Sequence, residues 1–274
     1  MDGGKPARER QALFEGNASQ SAAYAKHRPS PPQALFDAIA TYAGPGAPTE
    51  VALDVATGTG QATGGLATRY GRVIGLDVSK AQLAEASSGE NAKPNVEFQE
   101  GTAESTGLPD SSVDLVTVAQ ALHWFDQPRA FAEFARVLKP GGVLAAWGYD
   151  LPSLAGERDA SAMLLKLYEE TLGPYWDDKR KLVERRYKDI HIPPPFEELQ
   201  RWDSTMTVET TVGGVMGMIA SWSGYNSYRE AHPNKPDPLM MFHGELKEEL
   251  EFPGHDTVVD LEYPVFMLLA RKPR

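Results

Sequence analysis

The chain of 274 residues contains no cysteine. That absence excludes disulfides, a thiolate zinc site and a cysteine nucleophile, and it fits a reducing, cytoplasmic setting. Long apolar runs are missing as well. No stretch approaches the roughly 20 residues that a membrane helix needs, and Met1–Glu15, with Arg8, Glu9 and Arg10, lacks the apolar centre of a secretory signal. Basic residues are outnumbered, 27 Lys and Arg against 38 Asp and Glu, for a formal net charge of −11. This balance argues against a nucleic-acid surface, because Lys and Arg opposite phosphates supply most non-specific affinity. The one basic cluster, Lys179-Arg180-Lys181 with Arg185, Arg186 and Lys188, is interleaved with Asp177, Asp178, Glu184 and Asp189, and helical pairing of opposite charges accounts for it. No spacing of His, Asp and Glu implies a metal, and there is no internal repeat. What remains is a chain that is 41% hydrophobic, enough to bury a full core in one large domain carrying an insertion.

The informative stretch is Val51–Gly60, V-A-L-D-V-A-T-G-T-G. Buried parallel strands read as short β-branched apolar runs, so Asp54 is an acid where apolar packing would be cheaper. Gly58 and Gly60 let backbone approach a ligand with no Cβ in the way, and Gln61–Tyr70 forms a helix whose N-terminus faces the same spot. Arg72–Val78 is a second apolar strand, placing Asp77 where a doubly wound sheet keeps its ribose-binding carboxylate. Val96–Gly101 leads into Thr102, Ala103 and Glu104. Val113–Gln120 opens into Ala121-Leu122-His123-Trp124-Phe125. Arg129–Leu138 is an amphipathic helix, stopped by Lys139-Pro140-Gly141-Gly142 before the strand Val143–Trp147. Strand ends that deliver polar and aromatic groups to one crevice are the ligand-binding geometry of open α/β sheets.

Two cofactor classes fit a strand, glycine turn, helix and acid. A dinucleotide site calls for G-x-G-x-x-G, and here the third glycine position holds Thr63. Asp54 beside the turn would repel a pyrophosphate, whereas S-adenosylmethionine brings a cationic sulfonium and an ammonium group. The residues favour the sulfonium cofactor over a nicotinamide.

The ordered motifs D-V-A-T-G-T-G-Q (Asp54–Gln61), G-L-D-V-S (Gly75–Ser79), G-T-A-E (Gly101–Glu104), L-P-D-S-S-V-D-L-V (Leu108–Val116) and L-K-P-G-G (Leu138–Gly142) resemble the class I S-adenosylmethionine-dependent methyltransferases over roughly Leu35–Trp147. Tyr24–Pro29 and Gln120–Phe125 are similar to a narrower small-molecule branch with the type 11 domain, that of the trans-aconitate methyltransferases. The resemblance implies an α/β fold, a doubly wound, Rossmann-like, mostly parallel seven-stranded sheet with a helical cap insertion. It divides the chain into an N-terminal arm or lid (1–34), a cofactor-binding core (35–150), a cap with one core strand (151–257) and a closing strand (258–274). It also implies a cofactor site. Asp77 holds the ribose, Gly58 and Gly60 face the amino-acid tail above Asp54, and Ala103 and Glu104 lie near the adenine; Ala56, Gln61, Val78, Gln82 and Thr102 belong to the same site. Ala119 and Gln120 close the fourth strand, and Tyr24 and Arg28 fold over, Arg28 toward the methionine carboxylate.

Beyond Tyr149 the βα alternation breaks. Ala160–Leu172 and Asp177–Lys188 read as helices, Pro193-Pro194-Pro195 as a connector, Leu199–Glu209 as a strand, Thr211–Ser223 and Leu239–Leu250 as helices, and Tyr263–Lys272 as a final strand. The S-W-S-G-Y-N-S-Y-R run places Trp222, Tyr225 and Arg229 together, either lining a substrate pocket with Arg229 forked onto a carboxylate or packing the cap onto the core. Trp124 and Tyr149 join them as acceptor-side candidates. A carboxylate or thiolate acceptor is already ionised and needs positioning more than a base. A hydroxyl or amine must lose a proton, for which His123 is the candidate, with packing or a cofactor contact as its alternative; a carboxylate acceptor would be held by Arg229 or His123. The expectation is methyl transfer to a small organic acceptor, first a carboxylate oxygen and otherwise a small thiol or amine. A non-catalytic S-adenosylmethionine-binding regulator is the alternative from another class. Expected partners are a small-molecule substrate alone, with no nucleic acid or membrane, in a monomer or homodimer.

Overall fold

A computed structural model describes residues 29–249 and 254–274. Five strands are parallel: β1 (Val51–Val55), β2 (Arg72–Asp77), β3 (Val96–Glu100), β4 (Val113–Ala119) and β5 (Leu138–Tyr149). They are followed by β6 (Ser153–Leu154), β7 (Glu197–Thr211) and β8 (Val258–Arg271). The spatial order is β3-β2-β1-β4-β5-β8, with β8 antiparallel to β5 and β7 antiparallel along the far edge of β8. The two-residue β6 pairs β8 at Ser153 and Glu262. The doubly wound, mostly parallel sheet is therefore present, with this short eighth strand beyond the seven expected.

Near-continuous burial of β1, β2 and β4 explains why their sequences do not alternate: both faces of a parallel strand meet helices. On one face, α1 (Gln33–Ala43) and α2 (Gln61–Ala67) pack Leu35, Phe36 and Leu66 onto β4 and β5 residues such as Leu115 and Ala145. α3 (Lys80–Ser88) starts at Ser79, whose hydroxyl accepts from the Gln82 N–H. α4 (Gln127–Val137), capped by Asp126 with Pro128 in its first turn, covers the other face through Phe131 and Phe134. Leu53, Leu76 and Val116 are completely buried in this second layer; truncating such a leucine to alanine costs about 2–5 kcal/mol.

The remaining helices are α5 (Arg158–Lys166), α6 (Arg180–Glu184), α7 (Val212–Ala220), α8 (Ser223–Ala231) and α9 (Pro238–Glu249). Ala160–Leu172 is not one α-helix, because α5 passes into a π-turn at Leu167–Thr171. Only Arg180–Glu184 of the charged Asp177–Lys188 run is helical. β5 begins earlier than Val143. Its pairing with β4 slips between Val113↔Leu138 and Leu115↔Val143, so Lys139–Gly142 forms an irregular lead-in, with Gly141 at φ 78°. α5, α7 and α9 share the apolar cluster of α1 and α2, while Val183, Tyr187, Ile192 and Phe196 cross to the face of α4. Among the described residues no helix is long and apolar enough to cross a membrane.

Candidate functional site

β1 and β4 are neighbours, but the chain leaves them in opposite directions across the sheet, and their C-terminal ends open a crevice at this switch point. Both ends bend sharply. Ala56 follows β1 at φ 56°, Gln120 follows β4 at φ 52°, and Gly58 lies at φ 60°. A Cβ on Gly58 would stand 2.9 Å from Gln82 Oε1, so this turn is built for close approach. The Thr57 N–H donates to the Leu76 carbonyl at 3.0 Å, tying the turn to β2.

Asp77 ends β2 within the crevice. Its Oδ2 accepts from the Gly58 N–H and its Oδ1 from the Ser79 N–H, each at 2.8 Å. Burial raises its pKa, opposed by the N–H groups of Ser79, Gly58 and Val78. With three N–H donors on its two oxygens, the carboxylate keeps lone-pair capacity for a ligand hydroxyl. Asp54 sits below the same turn, 1% exposed, and does not reach the crevice. It accepts from Thr57 Oγ1 at 2.6 Å and Thr117 Oγ1 at 2.7 Å. Burial pushes it up to about 6, the two hydroxyls resist, and the charge on Asp77 adds to the rise. Its expected contact with the cofactor thus becomes support of the turn, because it is buried beneath the turn and does not line the crevice. Gly60 is also absent from the lining. At φ 85° it begins α2, and its carbonyl accepts from Thr63 Oγ1 at 2.7 Å. The threonine at the missing third glycine position is a buried brace for the turn.

Ala56, Gly58, Gln61, Asp77, Val78 and Gln82 border the crevice on the β1–β2 side, with Thr102, Ala103 and Glu104 after β3 and with Ala119, Gln120 and Trp124 after β4. Glu104 Oε1 accepts from the Asp126 N–H at 2.8 Å, which fixes that loop to the cap of α4. Gln120 Nε2 donates to the Tyr149 carbonyl at 2.8 Å, and its Oε1 is buried with no hydrogen-bond partner. Such an orphaned acceptor suits a ligand that brings a donor. Asp77 and Glu104 are the only charged residues among the described lining, and no Lys, Arg or His joins them. This donor set fits a sulfonium and an ammonium and disfavours a pyrophosphate.

The far wall comes from residues the motif reading passed over: Leu35 of α1, Trp147 of β5, Met206 of β7 and Val265 of β8, beside the expected Tyr149. Trp147 was legible as the end of a strand. Met206 lies within β7, and only the strand order brings it to the crevice.

Other acceptor-side candidates lie elsewhere. His123 is buried in the 3-10 turn Leu122–Trp124, outside the lining, with Nδ1 3.0 Å from the Tyr187 hydroxyl. Burial, joined by the Arg180 and Lys179 charges, lowers its pKa to about 3. It is neutral and packed, a poor candidate for a base. Trp222 packs against Tyr168 and Trp176, with ring centroids at 5.7 and 5.8 Å. The Tyr225 hydroxyl donates to Asp237, and Arg229 Nε lies 3.9 Å from the same carboxylate. None of the three borders the crevice, because α8 joins the helical layer around Trp176. Tyr24 and Arg28 lie outside the described residues.

Residues 53–146 match the model of a methyltransferase domain. A Dictyostelium discoideum protein described as a methyltransferase is 34% identical over 260 residues, covering 93% of this chain and 94% of that one. A Saccharomyces cerevisiae protein described as an S-adenosylmethionine-dependent methyltransferase, CRG1, is 27% identical over 281 residues, covering 92% and 96%. Among solved structures, a type II methyltransferase from Anaeromyxobacter dehalogenans aligns with a TM-score of 0.74 at 31% identity, covering 90% of this chain and 99% of that one. Phosphoethanolamine N-methyltransferase 2 of Haemonchus contortus, solved with S-adenosyl-L-methionine, shares the fold at a TM-score of 0.53 and 17% identity, covering 96% of this chain and 60% of that one.

Proposed function

The chain belongs to the class I S-adenosylmethionine-dependent methyltransferases, and within that family we propose that it methylates a small organic acceptor which enters the crevice against the β5–β8–β7 wall. The observation that carries this reading is one continuous crevice. It runs from Asp77 and the Gly58 turn, which suit the cofactor, to a second wall at Trp147, Tyr149 and Met206.

The cofactor supplies an activated methyl group. Asp77 takes the ribose hydroxyls, Gly58 allows close approach of the amino-acid tail, and Gln120 Oε1 accepts from the ammonium group. Thr102, Ala103 and Glu104 border the adenine. The acceptor's lone pair forms the new bond to the methyl carbon as the carbon–sulfur bond breaks and its electron pair returns to sulfur. Holding the two atoms in line is worth roughly 7–11 kcal/mol. With His123 neutral, packed and outside the crevice, proton removal from an amine or thiol falls to solvent.

A carboxylate acceptor, the preference drawn from the trans-aconitate resemblance, finds no cation among the described lining residues. The purified protein, incubated with labelled cofactor and a panel of metabolite acids, thiols and amines, is expected to release S-adenosylhomocysteine with at least one member. Silence with every small molecule, alongside turnover on a protein or nucleic acid, would refute the reading.

A further inference from the structure

We infer that the acceptor is an uncharged small molecule with an apolar body, and that Met206 is a residue that sets this preference. The inference rests on the methyltransferase reading and concerns the half of the crevice that the cofactor leaves open. Six strands floor or border the cleft in the order β2, β1, β4, β5, β8, β7. Asp77 and Met206 are therefore five strand spacings apart, roughly 24 Å at about 4.8 Å per spacing. The groups suited to the cofactor end at Gln120, after β4. What lies beyond is Leu35, Trp147, Tyr149, Met206 and Val265.

This far wall is made from buried, not merely nearby, apolar groups: Leu35, Trp147, Met206 and Val265 are 0%, 3%, 6% and 3% exposed. Phe36 braces Trp147 edge-on at 6.4 Å, and Tyr263 braces Tyr149 edge-on at 5.3 Å, so the wall is held in shape from behind. An anion placed against it would lose its water and gain no counter-charge, a penalty that an apolar body does not carry. Among the described residues, the nearby cations are committed elsewhere. Lys179 Nζ donates to the Trp124 carbonyl at 3.3 Å, Arg180 lies over the Trp176 and Tyr168 rings at 5.1 and 5.6 Å, and Arg229 faces Asp237. Met206 is the flexible member of the wall, and its thioether adapts to irregular apolar shapes. It occupies an inward position of β7 between exposed Thr205 and Thr207, so a substitution there acts on the wall and not on the cofactor's contacts.

The test is a binding measurement on the complex with saturating S-adenosylhomocysteine, using two unreactive probes of similar size, ethylbenzene and 3-phenylpropionate. Ethylbenzene is expected to bind at least tenfold more tightly, in competition with any acceptor that turns over. Met206→Lys should erase or invert that ratio, with S-adenosylhomocysteine affinity within twofold of wild type, while Met206→Leu preserves it; melting curves establish that each variant folds. Equal or tighter binding of 3-phenylpropionate to the wild-type complex overturns the inference, as does saturable binding of neither probe. An unchanged ratio in a folded Met206→Lys variant overturns the role of Met206. Failure to bind S-adenosylhomocysteine at all would instead strike the methyltransferase reading, so the two failures are distinguishable.

Discussion

Replacing Asp54 by Asn removes one titrating group from beneath the cofactor turn while keeping its shape. The carboxyl is raised from 3.8 to about 6, chiefly because it is buried. Two pKa units at about 1.4 kcal/mol each correspond to about 3 kcal/mol. The native state therefore holds the Asp54 proton more tightly than the unfolded chain does, and takes one up as the pH falls from about 6 toward 3.8. Stability from this group is fully present below the unfolded value and is lost as pH rises through about 6. Asn does not titrate. Its amide retains an acceptor for one threonine hydroxyl and offers a donor to the other, since Thr57 and Thr117 can each rotate from donor to acceptor. Urea unfolding of both proteins between pH 4 and pH 8, read by linear extrapolation, isolates the contribution as a difference, because every other titrating group is common to both. Wild type should gain about 2 kcal/mol relative to Asp54→Asn on going from pH 7 to pH 4, and the rest below 3.8. A difference flat to about 0.5 kcal/mol over that range would refute the reasoning, and would mean that Asp54 is solvated or paired with a cation.

Asp77→Ala should weaken S-adenosylhomocysteine binding by roughly 1.5–3 kcal/mol in calorimetry, since it removes the charged hydrogen bonds proposed to the ribose and releases the Gly58 N–H; unchanged affinity would move the ribose elsewhere. His123, lowered to about 3 by burial, should contribute no ionisation near pH 6.5 to kcat. A limb near that pH in wild type that disappears in His123→Gln would restore it as a base. Arg229→Leu should leave acceptor KM within twofold and cost about 0–1 kcal/mol of stability, the worth of its partly exposed pair with Asp237. A tenfold rise in KM would return Arg229 to the acceptor site.

The parallel core and its cofactor side are legible in the chain alone because local constraints define them. A strand buried on both faces must be apolar throughout, so Asp54 and Asp77 stand out within V-A-L-D-V and V-I-G-L-D. A backbone at φ 60° calls for Gly58, and the interval from that turn to the end of β2 brings Asp77 to its N–H group. The acceptor side follows different logic. His123, Trp222, Tyr225 and Arg229 have the chemistry of a substrate site, yet the fold spends them on packing and on the Asp237 pairing, since a polar or aromatic side chain carries no local mark of which surface it will face. Met206 and Val265, which do border the crevice, look like ordinary strand residues. They arrive there because β8 enters antiparallel beside β5 and β7 pairs with its outer edge, non-local pairings between segments far apart in sequence. Local sterics and burial thus determined the nucleotide-like half of the site from sequence, and long-range strand order alone decided what the other half is made of.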